Sequence, residues 1–108
     1  MNSTKLIDKI FSPRRKEIEK YYTKAEEIQN GVFRKLINSA SNTEWGKKHN
    51  YASIKSYSDF SKVPVQTYEE VKGYVDRMRH GEENLLWPGR VRWYAKSSGT
   101  TNDKSKFI

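Results

Sequence analysis

RVRWYAKSSGTTNDKSKFI, residues 90–108, is the stretch whose reading decides the fold class. Its first seven residues alternate and are rich in β-formers, with Arg90, Arg92 and Tyr94 on one face and Val91, Trp93 and Ala95 on the other, which predicts a strand. KFI at the end reads as the start of a second strand, and SSGTTN between them reads as a loop. A strand, a loop and a returning strand after a mainly helical sequence predict an α+β fold, with helices packed on a small β-hairpin that belongs to a larger sheet. The expected organisation is a helical segment over 1–41, short helices and turns over 42–89, and the strand, loop and second strand over 90–108.

Upstream of that stretch the helical signals are strong. Ser12 and Pro13 read as an N-cap followed by a proline at the first helical position. From there Ile18, Tyr21, Tyr22, Ala25, Ile28, Val32, Leu36 and Ala40 recur at three- and four-residue steps, predicting one long helix with Gly31 as its weak point. Asn42 and Thr43 are capping residues, Gly46 suits a backbone turn, and Trp45 and Tyr51 are expected to pack beneath it. A short turn of helix through Tyr57, Asp59 and Phe60 should end at Val63 and Pro64. TYEEVKGYVDRMRHGE, residues 67–82, is the clearest helix: Thr67 and Glu70 have capping-box spacing, Val71, Tyr74, Val75 and Met78 form an inner face, and Gly81 can close the end in the left-handed conformation. His80 sits where the helix dipole favours a cation. LLWPG, residues 85–89, reads as a turn.

Composition narrows the function. Of 108 residues, 34% are hydrophobic, 31% charged and 13% aromatic, so the chain is polar but too aromatic for a disordered one. It lacks cysteine, which removes disulfides and thiolate metal sites, and its two histidines support no metal cluster. MNSTKLIDKIF is interrupted by Lys5, Asp8 and Lys9, so neither a signal peptide nor a membrane span is expected, and the expected location is cytoplasmic. The net charge of +8 raises the possibility of nucleic acid, yet Lys and Arg are interleaved with Glu and Asp, as in RRKEIEK, which is the pattern of a solvated helix face. Neither nucleic acid nor a membrane is an expected partner.

The loop offers more specific chemistry. Ser97, Ser98, Thr100 and Thr101 surround Gly99, so side-chain O–H and backbone N–H groups can converge on one anion, with Lys104 and Lys106 supplying charge. The same residues also suit an ordinary polar hairpin tip, and composition alone leaves both readings open. A Walker loop does not fit, because Gly99 and four residues lead directly to Lys104 and Ser105 without the second glycine.

Here the chain resembles a known family. SSGTTNDKSKFI is similar to the first nucleotide-binding motif of the adenylate-forming superfamily of acyl-CoA synthetases and luciferases. With TEWGKKH, VPVQTYEEVKGYV and LLWPG preceding it in the usual order, residues 28–108 resemble the N-terminal part of the auxin-responsive-promoter (GH-three) family of acyl-acid amido synthetases, in particular its bacterial members.

The resemblance implies that a carboxylic acid is activated by ATP to an acyl-adenylate, with Mg2+ expected, and then passed to an amine such as an amino acid. It places Ser97, Ser98, Gly99, Thr100, Thr101 and Lys106 around the phosphates, and no catalytic or metal-ligating residue in this stretch. Asn102 and Asp103 stand where many superfamily members carry glycine, which leaves the role of Asp103 open. The adenine and acyl pockets of the family would lie downstream of Ile108, so this chain is expected to be an N-terminal fragment without activity of its own, binding the acid and amine only through that further part. Exposed strand edges would favour self-association. The alternative is a non-catalytic helical module that binds a protein partner.

Overall fold

The computed structural model describes residues 3–99 and 105–108. It is built from five α-helices: α1 (Ser3–Thr23), α2 (Ala25–Ala40), α3 (Glu44–Lys48), α4 (Tyr57–Phe60) and α5 (Tyr68–Arg79), with a 3-10 turn at Tyr51–Ser53 between α3 and α4. The chain divides into two compact units, residues 1–34 and 35–108.

The first unit carries α1, which has no buried residue. Its start corrects the expectation of an N-cap at Ser12, because the helix already runs from Ser3 and holds Pro13 inside it. Leu6, Ile7, Ile10 and Phe11 extend the period of Ile18, Tyr21 and Tyr22 upstream, so the helical pattern of the sequence continues on both sides of Pro13. The helical run is also not continuous to Ala40. It breaks at Lys24, while Gly31, the expected weak point, lies within α2. Among the described residues no helix is long and apolar enough to cross a membrane.

The second unit holds a small core of Ile37, Ala40, Ile54, Val75, Met78 and Leu85. Ile37 and Ala40 come from the end of α2, and Val75 and Met78 from the inner face of α5. Thr43, 1% exposed, is the junction between α2 and α3. Its hydroxyl donates to the Ala40 carbonyl at 2.6 Å and accepts from the Gly46 N–H at 3.0 Å, ending one helix and capping the next. Gly46 serves a different purpose from the expected turn. It lies within α3, where an added Cβ would collide with the Ala40 carbonyl oxygen and stand 2.9 Å from its carbon. Close backbone approach, not a left-handed conformation, demands glycine here.

The first amides of α3 are satisfied from far along the chain. Glu44 N–H donates to the Asn84 carbonyl at 2.9 Å and Trp45 N–H to the Leu85 carbonyl at 3.0 Å. The 84–89 turn that supplies them is closed by the Gly89 N–H donating to Asn84 Oδ1 at 2.8 Å. On its other side Trp45 Nε1–H donates to Tyr51 Oη at 3.1 Å, as their expected packing requires. Arg77 of α5 ties the same region together, meeting Glu44 through two 2.8 Å bonds and Glu82 at 2.7 Å. α5 follows its sequence signals closely: the Glu70 carboxylate accepts from Thr67 N–H and Oγ1–H, and Gly81 has φ +98°.

The hairpin is not present. Among the described residues there is no strand and no sheet, so the α+β expectation is replaced by a helical fold. Residues 90–95 have no regular structure, and the two extended segments meet at a single isolated antiparallel bridge between Lys96 and Phe107. The reason is physical. β-propensity measures how well side chains pack on a neighbour, and Trp93, expected on the apolar face, is 91% exposed with no second layer to pack on. The strand edges that would have paired between copies are likewise absent among the described residues.

Candidate functional site

The candidate phosphate-binding residues begin at the point where the 90–99 segment meets the end of the chain. Ser97 N–H donates to the Lys106 carbonyl at 2.8 Å, and Lys106 N–H donates back to Ser97 Oγ at 2.9 Å. The first serine and last lysine of the motif are therefore neighbours, and both are half-buried. Ser97 uses an oxygen lone pair in this bond, which leaves its own O–H proton unconsumed by it. Ala95 and Ile108 exchange two further backbone bonds at 2.9 Å, fixing the register of the pair. Ser98 and Gly99 are exposed. Thr100 and Thr101 lie outside the described residues, as do Asp103 and Lys104.

This junction rests on α5. Tyr68, the first residue of the helix, donates its hydroxyl to the Phe107 carbonyl at 3.1 Å. Arg79, its last residue, lays its guanidinium 3.5 Å from the centroid of the Phe107 ring. Lys106 Nζ stands 5.3 Å from the Tyr68 ring centroid, and Lys96 Nζ lies 5.6 Å from that of Phe107. Such cation–π contacts are weak at exposed sites, so the Lys106 ammonium is held without being committed. Tyr68, Arg79 and Phe107 were not candidates from the sequence. A tyrosine beside a helix cap and an arginine in a last turn are ordinary helix residues, and nothing in the order of residues announces a contact across 39 positions.

The titratable groups with displaced values serve the framework. Hydrogen bonds from Arg77 hold the carboxyls of Glu44 and Glu82 below the usual range, and Glu44 and Glu82 in turn hold the Arg77 guanidinium protonated more firmly. The Thr67 backbone N–H lowers Glu70, and the Lys55 N–H lowers Asp59. All four acids stay ionised as caps or ion-pair partners, which suits none of them to proton transfer near neutral pH. An open cleft of about 550 Å³, with His49, Asn50, Asp59 and Lys62 in its wall, contains none of the loop residues. Among the described residues no group of three His, Asp or Glu could hold a metal ion.

Comparison with known proteins gives this geometry its context. Residues 14–108 match the family model described as the GH3 family N-terminal domain. The chain belongs to the GH3 family. GH3.9 of Arabidopsis thaliana is 30% identical over 95 residues, which cover 86% of this chain and 16% of the relative. The indole-3-acetic acid-amido synthetase GH3.2 of the same plant is also 30% identical over 95 residues, covering 86% of this chain and 17% of its own length. A second such synthetase, GH3.15, is 27% identical over 92 residues, 84% of this chain and 16% of the relative. The GH3 chain described here thus spans about one sixth of the length of these curated relatives. No solved structure matches it.

Proposed function

We propose that this GH3 chain is the phosphate-binding portion of an ATP-dependent acyl-acid amido synthetase. The names of its relatives, amido synthetases acting on indole-3-acetic acid, support the class of reaction. The observation that carries the reading onto this chain is the pairing of Ser97 with Lys106, which closes the hydroxyl-rich segment at its base. In this reading a carboxylate oxygen attacks the α-phosphorus of ATP, the bond from that phosphorus to the bridging oxygen breaks, and pyrophosphate leaves. The amine of an amino acid then attacks the acyl carbon and expels AMP, forming the amide.

Each residue has a physical task in the first step. The Ser97, Ser98, Thr100 and Thr101 hydroxyls orient the phosphates, Gly99 allows the backbone to approach them, and Lys106 offsets charge that grows on the leaving pyrophosphate. Lys106 can move to a phosphate at little cost, because it exchanges a weak contact with the Tyr68 ring for a charge-assisted hydrogen bond. Only contacts that strengthen as the bond breaks raise the rate. Magnesium would travel with ATP on the phosphate oxygens. The acid and amine are bound by the part of a relative-length protein beyond these residues, and the expected setting is the cytoplasm.

Pyrophosphate exchange by the full-length enzyme, measured with a panel of carboxylic acids, tests the reading. Ser98→Ala and Gly99→Val should weaken ATP use with the fold intact, and unchanged exchange would remove the phosphate role. Residues 1–108 alone are expected to give no exchange, since the groups that align the acid with ATP are elsewhere.

A further inference from the structure

The two contacts that α5 makes with Phe107 come from the two ends of one helix, and both ends are locked by their own sequence. Tyr68 directly follows Thr67, whose N–H and hydroxyl are gripped by Glu70 at 2.6 and 2.9 Å. Arg79 precedes the Gly81 terminus, where Gly81 N–H donates to the Met78 carbonyl at 3.0 Å. Between them Val75 and Met78 are buried, so the helix cannot shift without disturbing the core. Phe107 is thus held from its carbonyl by one end and from its ring face by the other. Its neighbour Lys106 is the residue bonded to Ser97.

We infer that Tyr68 and Arg79 are positioning residues for ATP: by clamping Phe107 they fix Lys106 and Ser97 at the separation the phosphates require. The inference rests on the phosphate-binding role proposed above and extends it to two residues of α5 outside the loop. Neither touches the nucleotide. Their effect is preorganisation, since Ser97 and Lys106, already fixed, lose less freedom when the phosphates arrive. Tyr68 has a second part, because its ring also faces the Lys106 ammonium at 5.3 Å.

The consequence is selective. Loosening the clamp should raise KM for ATP and leave KM for the acid unchanged, whereas general damage to the fold would lower the active fraction and so kcat, with both KM values intact. Steady-state pyrophosphate exchange by the full-length enzyme, with ATP and acid varied separately, reads this difference. Tyr68→Phe keeps the ring but removes the donor to the Phe107 carbonyl, and should raise KM for ATP about five-fold, the factor that one hydrogen bond of about 1 kcal/mol supplies. Arg79→Met should raise it in the same direction, and Arg79→Lys, which returns a cation to the ring, should recover at least part of the loss. Arg79 is exposed, so its variants report even if Tyr68→Phe does not fold.

A KM for ATP unchanged in both variants, or both KM values rising together, overturns the inference. Ser98→Ala assayed in parallel separates the two levels. If it weakens ATP use while the α5 variants do not, the clamp is refuted and the phosphate role stands. If it has no effect, the phosphate role itself falls, and with it the inference.

Discussion

Thr43 and Ser97 are both hydroxyl residues whose oxygen accepts a backbone N–H, yet they occupy opposite kinds of environment. Thr43 accepts from Gly46 three residues on and gives its proton to Ala40, so both capacities are consumed locally in a fully buried position. Ser97 accepts from Lys106 nine residues away, in a half-buried position, and that bond leaves its proton free. The difference teaches how one side-chain chemistry divides between building a fold and preparing a site. Where donor and acceptor are both satisfied by neighbours, the hydroxyl is structural, and where one half is left over, it can face a ligand.

The largest expected effect lies on the Thr43 side. Gly46→Ala drives a methyl into the Ala40 carbonyl, and should destabilise residues 35–108 by about 3 kcal/mol or more. Urea titration of the chain, followed by Trp45 fluorescence, measures it, and a midpoint equal to wild type would show that the two backbones can separate freely. Thr43→Val keeps the shape but strands the Gly46 N–H, while the Ala40 carbonyl keeps the backbone N–H of residue 43 at 3.1 Å, with an expected cost of about 2 kcal/mol, most of which Thr43→Ser should restore. Gly81→Ala should cost about 1–2 kcal/mol from its left-handed backbone alone, as nothing but the tip of Arg90 would meet the new methyl.

Acid sharpens the contrast from another direction. Glu44, Glu82, Glu70 and Asp59 all have carboxyls held below their ordinary values by partners in the framework. A carboxyl depressed on folding contributes stability above its ordinary value and loses it as the pH falls through the folded-state value. The melting temperature should therefore be flat near neutrality and fall as the pH drops below 4.5, the ordinary value for glutamate. Arg77→Met should blunt that fall, because Glu44 and Glu82 lose the partner that lowers them. The same slope in both proteins would show that the Arg77 pairs are not formed in solution.

Ser97→Ala stands at the small end for stability, with about 0.5–1.5 kcal/mol expected, since water can replace its acceptor at a half-buried site. Under the proposed phosphate role, its effect on pyrophosphate exchange by a full-length protein should be the larger of its two consequences. If Ser97→Ala cost as much stability as Thr43→Val, the division between framework and site would fail.

Much of the framework was legible because its determinants are close in sequence. Thr67, Glu70 and Gly81 mark α5, Thr43 caps α3, and the short α4 ends before Val63 and Pro64, each within a few residues of its partner. The upstream start of α1 was obscured by Ser12 and Pro13, which resemble a helix start although the apolar period runs on both sides of them. The break at Lys24 has no glycine or proline to announce it, whereas Gly31 advertised one that does not occur. RVRWYAK misled for a deeper reason: alternation states what a segment could pack, and only a neighbouring strand makes it one. Of the candidate site, Ser97 and Lys106 are hydrogen-bonded neighbours, and their support by Tyr68 and Arg79 depends on contacts that no local pattern encodes.

The carbonyls of Asn84 and Leu85 that receive the first amides of α3 impose an order on synthesis. A ribosome has translated the whole of α3 about forty residues before it reaches them, so the nascent helix waits with its leading N–H groups in water until the 84–89 turn is made and exported. Released chains truncated before Asn84 should show rapid amide exchange at Glu44 and Trp45, and released chains that include residues 84–89 slow exchange. α3 is in this sense completed only retrospectively, by residues that have not yet been translated when it first appears.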